Sequence, residues 1–433
     1  MQEAINVGLC GLGTVGSGVV KILENHKRDI VHQVGCPIEV KKILVNDVNK
    51  KRDEAVDSAL LTSNVEELVE DPEIDVIVEV MGGIDGTYKV LEKALQNKKH
   101  IVTANKDMMA VYGAPLLQLA NENQCDVRYE ASVAGGIPII RSLTDGLASD
   151  RINKIMGIVN GTTNYILTKM MDEGRTFEDV LEEAQRLGYA EADPSSDIDG
   201  IDAARKVSLL STLAFSMPVD LSDVDVRGIR GMSYDDLAYA EQLGYTIKLL
   251  GIAARGEDKI EMSVQPTLVP HSHPLASIKD EYNAVYVYGD AVGETMFYGP
   301  GAGQLPTATA VVSDLMDVVK NIRLGVTGRS SVNPQYQKNL KELDEVFSKF
   351  FFRLEAEDEA GTFLAITSEF AAHDVSLDKI IQMPKGNDKT AEIVLVTHQA
   401  SRAQIDDILK KLESLSVIRG IHSYYRVEGE EEQ

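Results

Sequence analysis

The residues most suited to chemistry lie between Gly188 and Lys206, in the run Gly-Tyr-Ala-Glu-Ala-Asp-Pro-Ser-Ser-Asp-Ile-Asp-Gly-Ile-Asp-Ala-Ala-Arg-Lys. Its acids are Glu191, Asp193, Asp197, Asp199 and Asp202, and no base answers them before Arg205 and Lys206. Pro194 and Gly200 mark irregular backbone, and from Asp202 the apolar spacing of Val207, Leu209, Leu210 and Leu213 predicts a helix. Asp202 and Lys206 would then stand one turn apart on one face. Three readings fit such a stretch. It could be a solvated acidic loop ahead of a helix with an ordinary i,i+4 ion pair. It could be a calcium loop, since Asp197, Asp199 and Gly200 match its third, fifth and sixth positions, but the first would be Ser195 and the last, which must supply a bidentate carboxylate, would be Lys206. Or it could be a pocket for a small zwitterion, with carboxylates for an ammonium and a lysine for proton transfer.

A second group of residues has the pattern of a dinucleotide site. The apolar run Ala4 to Cys10 leads directly into Gly11-Leu-Gly13-Thr14-Val15-Gly16, followed by Val19, Val20, Ile22 and Leu23 at helical spacing. Glycines at these positions permit a tight turn, close approach of a pyrophosphate to the backbone and tight helix packing, and the helix N-terminus offers N–H groups to an anion. The ribose-reading position after the second strand is Asn46 followed by Asp47, with Lys50, Lys51 and Arg52 close behind, a mixed signal compatible with either NAD or NADP. Lys106 ends the run Val102-Thr-Ala-Asn-Lys just past a strand. It is either a surface lysine or a site residue, and a lysine at a helix start is poorly placed unless an anion joins it. Glu130 to Ile140, with Gly135, Gly136 and Pro138, is either an interdomain connection or a source of exposed carbonyl oxygens for a hard cation.

The elements that must position these residues alternate. Strands are predicted at Val40 to Val45, Ile74 to Val80, His100 to Ala104 and Asp126 to Tyr129, with helices between them, including Tyr88 to Gln96. Such βαβ alternation predicts an open parallel sheet with ligands beyond the carboxyl ends of its strands. From about Leu147 the pattern changes to a strand at Ile152 to Val159, helices opening at Asn160 and spanning Phe177 to Leu187, and strands at Ile247 to Ala253, Ile260 to Val269, Ala284 to Gly289 and Glu294 to Tyr298. This predicts a mostly antiparallel sheet with helices on one face. A long helix, Thr307 to Leu324, is expected to return to the first domain. After a linker at Val326 to Asn339, the order βαββαβ over Phe350 to Val427, with a turn around Pro384 to Asp388, predicts a ferredoxin-like module.

Composition bounds the partners. The length of 433 residues suits about three domains. A formal charge of −25 disfavours nucleic acid and anionic membrane surfaces. The acidic opening Met1-Gln2-Glu3 and the lack of a long apolar run give no signal peptide or transmembrane span. Cys10, Cys36 and Cys125 are odd in number and lack metal-ligand spacing, which suits a reducing cytoplasm.

The stretch Ala184 to Lys206 resembles the signature of homoserine dehydrogenases, with its acid, proline, glycine and lysine positions present at the same spacing. Gly11 to Gly16, Val102 to Lys106, Glu130 to Ile140, Asn160-Gly-Thr-Thr-Asn164 and Gly299-Pro-Gly-Ala-Gly303 extend the resemblance from residue 3 to about 330. It implies reversible NAD(P)-dependent interconversion of L-aspartate 4-semialdehyde and L-homoserine, a step of threonine, methionine and isoleucine biosynthesis. It implies Lys206 as proton donor, Lys106 as a residue that holds and polarises substrate and touches cofactor, and Glu191, Asp197 and Asp202 as substrate ligands. Gly11, Gly13, Thr14, Val15, Gly16, Gly188 and Gly303 would contact the cofactor, and carbonyls of Glu130, Val133, Gly135 and Ile137 would hold a monovalent cation, usually sodium. The C-terminal region resembles an ACT domain, which implies an amino-acid effector, threonine in this family, and a homodimer or homotetramer. Glu357-Asp-Glu-Ala-Gly361 stands at the effector loop, with Glu359 and Ala360 departing from the usual Lys-Pro-Gly.

The expected organisation is a Rossmann-type domain over residues 1–146 and about 302–330, an α+β catalytic and dimerisation domain over 147–301, a linker over 331–348, the ACT domain over 349–428 and a disordered tail over 429–433. Two rivals are weaker. Aspartate-semialdehyde dehydrogenase needs a thiol nucleophile, and none of the three cysteines is suitably placed. A non-catalytic amino-acid sensor would have no use for Lys106 and Lys206.

Overall fold

The computed structural model describes residues 4–50, 56–328, 334–384 and 389–429. The opening Met1 to Glu3, Lys51, Arg52, part of the expected linker, the turn after Pro384 and most of the expected tail lie outside the described residues. The chain divides into two compact units: Met1–Ile152 with Arg205–Asp223 and Asn283–Lys338, and Asn153–Ala204 with Val224–Tyr282 and Asn339–Gln433.

The first unit is built on a parallel sheet of β1 (Ile5–Cys10), β2 (Ile38–Leu44), β3 (Leu61–Thr62), β4 (Val76–Glu79), β5 (His100–Thr103) and β6 (Val127–Arg128), in the order β3-β2-β1-β4-β5-β6. Strands covered on both faces need continuous apolar runs rather than alternation. Val76, Ile77 and Val78 of β4 are all fully buried, as that requires. Helix α1 (Thr14–Asn25) follows β1 and buries Val19, Val20 and Leu23. The helix Gln304–Leu324 packs on α1, and its Ala308, Val311, Leu315 and Val318 share one core with Val7 and Leu9 of β1. Gly18 makes that approach possible, because a Cβ there would stand 2.6 Å from the Gln304 carbonyl oxygen. Helix α2 (Lys106–Glu122) follows β5 and buries Met108, Met109 and Leu116.

In the second unit β7 (Ile152–Ile158) leads through helices α3 (Gly161–Glu173) and α4 (Phe177–Leu187) to the acidic stretch and helix α5 (Ile201–Phe215), whose residues from Arg205 onward belong to the first unit. Helix α6 (Tyr234–Gln242) then precedes the long hairpin of β8 (Tyr245–Arg255) and β9 (Ile260–Pro270). The C-terminal module comprises β10 (Phe347–Glu357), helix α7 (Thr362–Ala372), β11 (Leu377–Pro384), β12 (Thr390–Thr397), helix α8 (Arg402–Ser414) and β13 (Ile418–Val427). Its sheet order, β13-β10-β12-β11, is that of a ferredoxin-like fold.

The sequence presents this module as an appendage beyond a linker, but its sheet is continuous with that of the hairpin. β13 pairs in parallel with β9 through Thr267↔Arg426 and Leu268↔Val427. A buried charge network reinforces the join. Asp236 on α6 accepts from Arg353 Nε at 2.6 Å, Ser423 Oγ at 2.6 Å and Tyr425 OH at 2.9 Å, and Arg353 Nη1 also donates to Glu392 at 2.6 Å.

Candidate functional site: a dinucleotide turn and an acidic substrate loop

The turn from β1 to α1 has the shape that its glycines require. Gly11 has φ +105°, and a Cβ there would lie 2.9 Å from the Val80 carbonyl oxygen. At Gly16 a Cβ would lie 2.2 Å from the Gly11 carbonyl oxygen. At Gly13 nothing lies within 4 Å of that position, so the backbone is open to an approaching group. Gly13 is also the N-cap of α1, where no side chain caps the helix. The N–H groups that open the helix, beginning at Thr14 and Val15, therefore suit a pyrophosphate. Beside the ends of β2 and β4 lies a pocket of about 580 Å³, lined by Leu44, Asn46, Asn64, Met81, Gly83 and Thr87 among others. Asn46 there is the ribose-reading position of the sequence. These features fit a dinucleotide.

Glu79, fully buried at the end of β4, links this turn to Lys106. Its Oε1 accepts the N–H groups of Met81 at 2.8 Å and Gly82 at 3.1 Å, and its Oε2 accepts from Thr103 Oγ1 at 2.6 Å. Thr103 Oγ1 in turn accepts the Asn105 N–H at 3.0 Å. Asn105 donates to the Gly83 carbonyl at 2.6 Å and caps α2 by accepting the Met108 N–H at 3.0 Å. Lys106, half-buried, is the first residue of that helix. Burial raises the Glu79 carboxyl pKa against the opposing pull of its donors.

The segment after β6 is buried and irregular. Ala134 and Gly135 have φ values of +54° and +51°, and a Cβ on Gly135 would fall 2.3 Å from the Gly301 carbonyl oxygen. The Glu130 carboxylate faces the protein, accepting the N–H groups of Ile140 at 2.7 Å and Arg141 at 2.8 Å. Its backbone N–H donates to Asp314 at 2.8 Å, and Arg141 bonds Asp314 at 3.1 Å. Burial pushes the Asp314 carboxyl up to about 7. Glu130, Val133, Gly135 and Ile137 are all buried. Among the described residues no group of three or more His, Cys, Asp or Glu side chains could hold a metal ion. Gly303, at φ +124°, is the N-cap of the helix Gln304–Leu324 and lacks a side-chain cap as Gly13 does.

In the second unit, α4 ends on Gly188, whose φ of +80° is the left-handed cap that stops a helix. The acidic stretch then folds back on α3. Asn160, the N-cap of α3, donates through Nδ2 to Asp197 Oδ1 at 2.7 Å and to Asp202 Oδ2 at 2.8 Å. Its Oδ1 accepts the Thr163 N–H at 2.9 Å. One amide thereby brings together two of the three predicted substrate carboxylates. Asp202 is buried, Asp197 half-buried, and the third acid, Glu191, exposed. A short helix at Ser195–Ile198, where irregular backbone was expected, carries Asp197.

The two remaining acids serve the loop. Asp193 accepts the Ser195 N–H, and the hydrogen bonds from Ser195 hold its carboxyl below the usual range. Asp199 makes a two-pronged pair with Arg230, at 2.7 Å for each bond, which lowers its pKa. Lys206 is half-buried on α5, and Arg205 beside it pairs with Asp107 of α2 at 3.2 Å.

Glu79 escapes a reading by sequence, and Asn105 and Asn160, legible only as part of the Val102 to Lys106 run and as a helix start, make side-chain bonds that the sequence does not announce. An acid ending an otherwise apolar strand is a visible signal for Glu79, and Asn before a helix is one for the caps. The thiol-dependent rival gains nothing from the fold. All three cysteines are buried, and burial pushes the Cys125 thiol up to about 11 and raises the other two.

Comparison with known proteins decides the family. Residues 138–316 match the family model for homoserine dehydrogenase, and residues 11–130 match that for its NAD-binding domain. A homoserine dehydrogenase of Bacillus subtilis (strain 168) is 58% identical over 429 residues, covering 99% of each chain. The chain belongs to the homoserine dehydrogenase family. Residues 351–417 match the ACT domain, so this member carries one. The crystal structure of a homoserine dehydrogenase from Thiobacillus denitrificans superposes with a TM-score of 0.93 at 41% identity, over 98% of both chains. A hyperthermophilic archaeal homoserine dehydrogenase solved in complex with NADPH gives a TM-score of 0.62 at 28% identity, covering 73% of this chain and 98% of that one. The expected fold class is borne out: a parallel-sheet dinucleotide-binding domain, a catalytic sheet domain and a C-terminal ACT domain. Among the described residues no helix is long and apolar enough to cross a membrane.

Proposed function

We propose that this family member interconverts L-aspartate 4-semialdehyde and L-homoserine with NAD or NADP in the cytoplasm, as a step of threonine, methionine and isoleucine biosynthesis. The observation that carries the reading is the Asn160 amide holding Asp197 and Asp202 in the loop that also contains Glu191. Paired carboxylates suit the ammonium of an amino-acid substrate, and Glu191, Asp197 and Asp202 take that role. The bound nicotinamide supplies or accepts the hydride. Lys206 donates the proton to the oxygen on which negative charge develops during reduction, and a cation stabilises that charge as it forms. Lys106 holds and polarises the carbonyl and contacts the cofactor. Gly11, Gly13, Thr14, Val15, Gly16, Gly188 and Gly303 line the cofactor, and the uncapped helix starts at Gly13 and Gly303 support this.

A sodium ion fits the carbonyls of Glu130, Val133, Gly135 and Ile137, as the buried, positive-φ backbone there supports. The domains divide as 1–146 with about 302–330, 147–301, and 349–428 after a linker at 331–348. The ACT domain senses an amino acid, threonine, and the enzyme is a homodimer or homotetramer. The test follows absorbance of the reduced nicotinamide as purified protein meets aspartate semialdehyde. Oxidation with at least one of the two cofactors is expected, and none with either would overturn the reading.

A further inference from the structure

Away from the residues discussed so far, α3, α6 and the start of β8 enclose a pocket of about 310 Å³ whose polar wall includes Thr168, Asp172, Glu241, Tyr245, Lys248 and Lys279. Lys248 is 2% exposed, and its ammonium donates to Asn164 Oδ1 at 3.0 Å and to the Ile278 carbonyl. Both acceptors are neutral, and among the described residues no carboxylate lies within ion-pair distance of it. The nearby acids are engaged elsewhere: Asp172 pairs with Lys279 at 2.9 Å and Glu241 with His271 at 3.1 Å. Burial drives the Lys248 pKa down to about 8, with Lys279 adding to the shift and Asp172 and Asp280 opposing it. A buried ammonium held only by neutral acceptors, on a residue that lines a pocket of this size, lacks the charge partner that burial ordinarily calls for. Leu167, Met171, Leu237 and Ile247 supply apolar wall beside it, which favours an organic anion over inorganic phosphate.

We propose that this pocket is a second ligand site that takes a small organic carboxylate, with Lys248 as its charge partner. The surroundings connect it to both ends of the second unit. Asn164, which holds Lys248, lies on the helix that Asn160 caps. Tyr245 lies beneath Lys379 of the ACT strand β11, whose ammonium is 4.4 Å from the ring centroid. Binding at this site is independent of the catalytic reading above, so either can fail alone.

The test is calorimetric titration of the full-length protein with propionate and with the neutral isostere propionamide, near pH 8.5, in two buffers of different ionisation enthalpy. An arriving anion raises the Lys248 pKa, so propionate is expected to bind in the millimolar range with proton uptake, and propionamide not to bind. Lys248→Met should weaken binding at least tenfold and abolish the uptake. Lys248→Arg keeps the charge but does not titrate in this range, so it should bind without uptake, and it decides the matter if the Met variant fails to fold. Lys279→Met, on the exposed rim, should weaken binding severalfold and reduce but not abolish the uptake, since Lys279 helps to depress the Lys248 pKa. Equal heats for propionate and propionamide, or uptake that survives Lys248→Arg, would overturn the proposal.

Discussion

Replacing Asn160 by aspartate changes one donor group into an acceptor at nearly constant volume. Its amide nitrogen lies 2.7 Å from an Asp197 oxygen and 2.8 Å from an Asp202 oxygen, so the new carboxylate would face two others at hydrogen-bond distance. At an effective dielectric constant near 20, each like-charge contact at that range costs about 6 kcal/mol. That exceeds the cost of taking up a proton, so Asn160→Asp should titrate near or above neutrality. Raising an aspartate from its ordinary value to about 7 costs roughly 4 kcal/mol at neutral pH. The sign follows from proton counting. The introduced acid has a folded pKa above its unfolded one, so the native state binds more protons, and stability falls as pH rises from about 4 to about 7. Asn160→Ala instead loses a helix cap worth about 1 kcal/mol and two hydrogen bonds to charged groups, each worth about 1.5 kcal/mol or more, offset by rehydration of the half-buried Asp197.

The assay is urea unfolding by circular dichroism at pH 5.5 and 7.5, with kcat/KM for homoserine measured on the same samples. Asn160→Asp is expected to be the less stable variant at pH 7.5 and to recover about half of its deficit, roughly 2 kcal/mol, at pH 5.5. Both variants should lose catalytic efficiency chiefly through KM. An aspartate variant as stable as the parent at pH 7.5, or one whose deficit ignores pH, would refute the reasoning that the amide holds two charged carboxylates together.

Three further outcomes are expected. Lys206→Ala should abolish turnover while cofactor binding, followed by nicotinamide fluorescence, persists; retained turnover would remove Lys206 from its role. Glu79→Gln keeps shape but faces an N–H group towards donors, so about 1–3 kcal/mol should be lost, and KM for cofactor should rise more than KM for substrate. An unchanged cofactor KM would detach Glu79 from the turn. Arg353→Met strands Asp236 and Glu392 as buried acids and should cost about 3–5 kcal/mol, read as a lowered unfolding midpoint that Arg353→Lys partly restores; a midpoint within error of the parent would show the network to be dispensable.

Much of this was legible in residue order because the decisive signals are local. A glycine turn between an apolar run and a helical pattern needs no tertiary information, and the helix Phe177–Leu187 is bounded by Thr176 and Gly188, a cap and a stop that can be seen in the chain. Strand ends shift by a residue or two, as with β4, which runs over Val76–Glu79 where Ile74 to Val80 was expected. What escaped depends on register. Glu79 meets Thr103 because β4 and β5 pair Glu79↔Thr103, a match that no local pattern announces. Asn160 meets Asp197 and Asp202 only after the acidic loop has folded back on α3. The pairing of β13 with β9 joins segments far apart in sequence and leaves no periodicity to read.

That last pairing bears on how an ACT domain could act here. Undocking its sheet would break the β9–β13 pairing and leave Asp236 without Arg353, Ser423 and Tyr425. Breaking a buried charge pair of this kind costs at most about 3–5 kcal/mol, because water rehydrates the freed carboxylate. An effector can shift an equilibrium only by its differential affinity for the two states, and at about 1.4 kcal/mol per decade this asks for roughly a thousandfold preference. A smaller displacement asks for less. Helix α6 is placed to transmit one: Asp236 and Tyr239 contact the ACT strands, and Leu237 and Glu241 line the pocket beside α3. Any ligand that acts by shifting α6 with the sheet still docked needs only this smaller preference. On this reasoning, truncation after Asn339 would not release a free catalytic unit but would expose the edge of β9 and the Asp236 carboxylate.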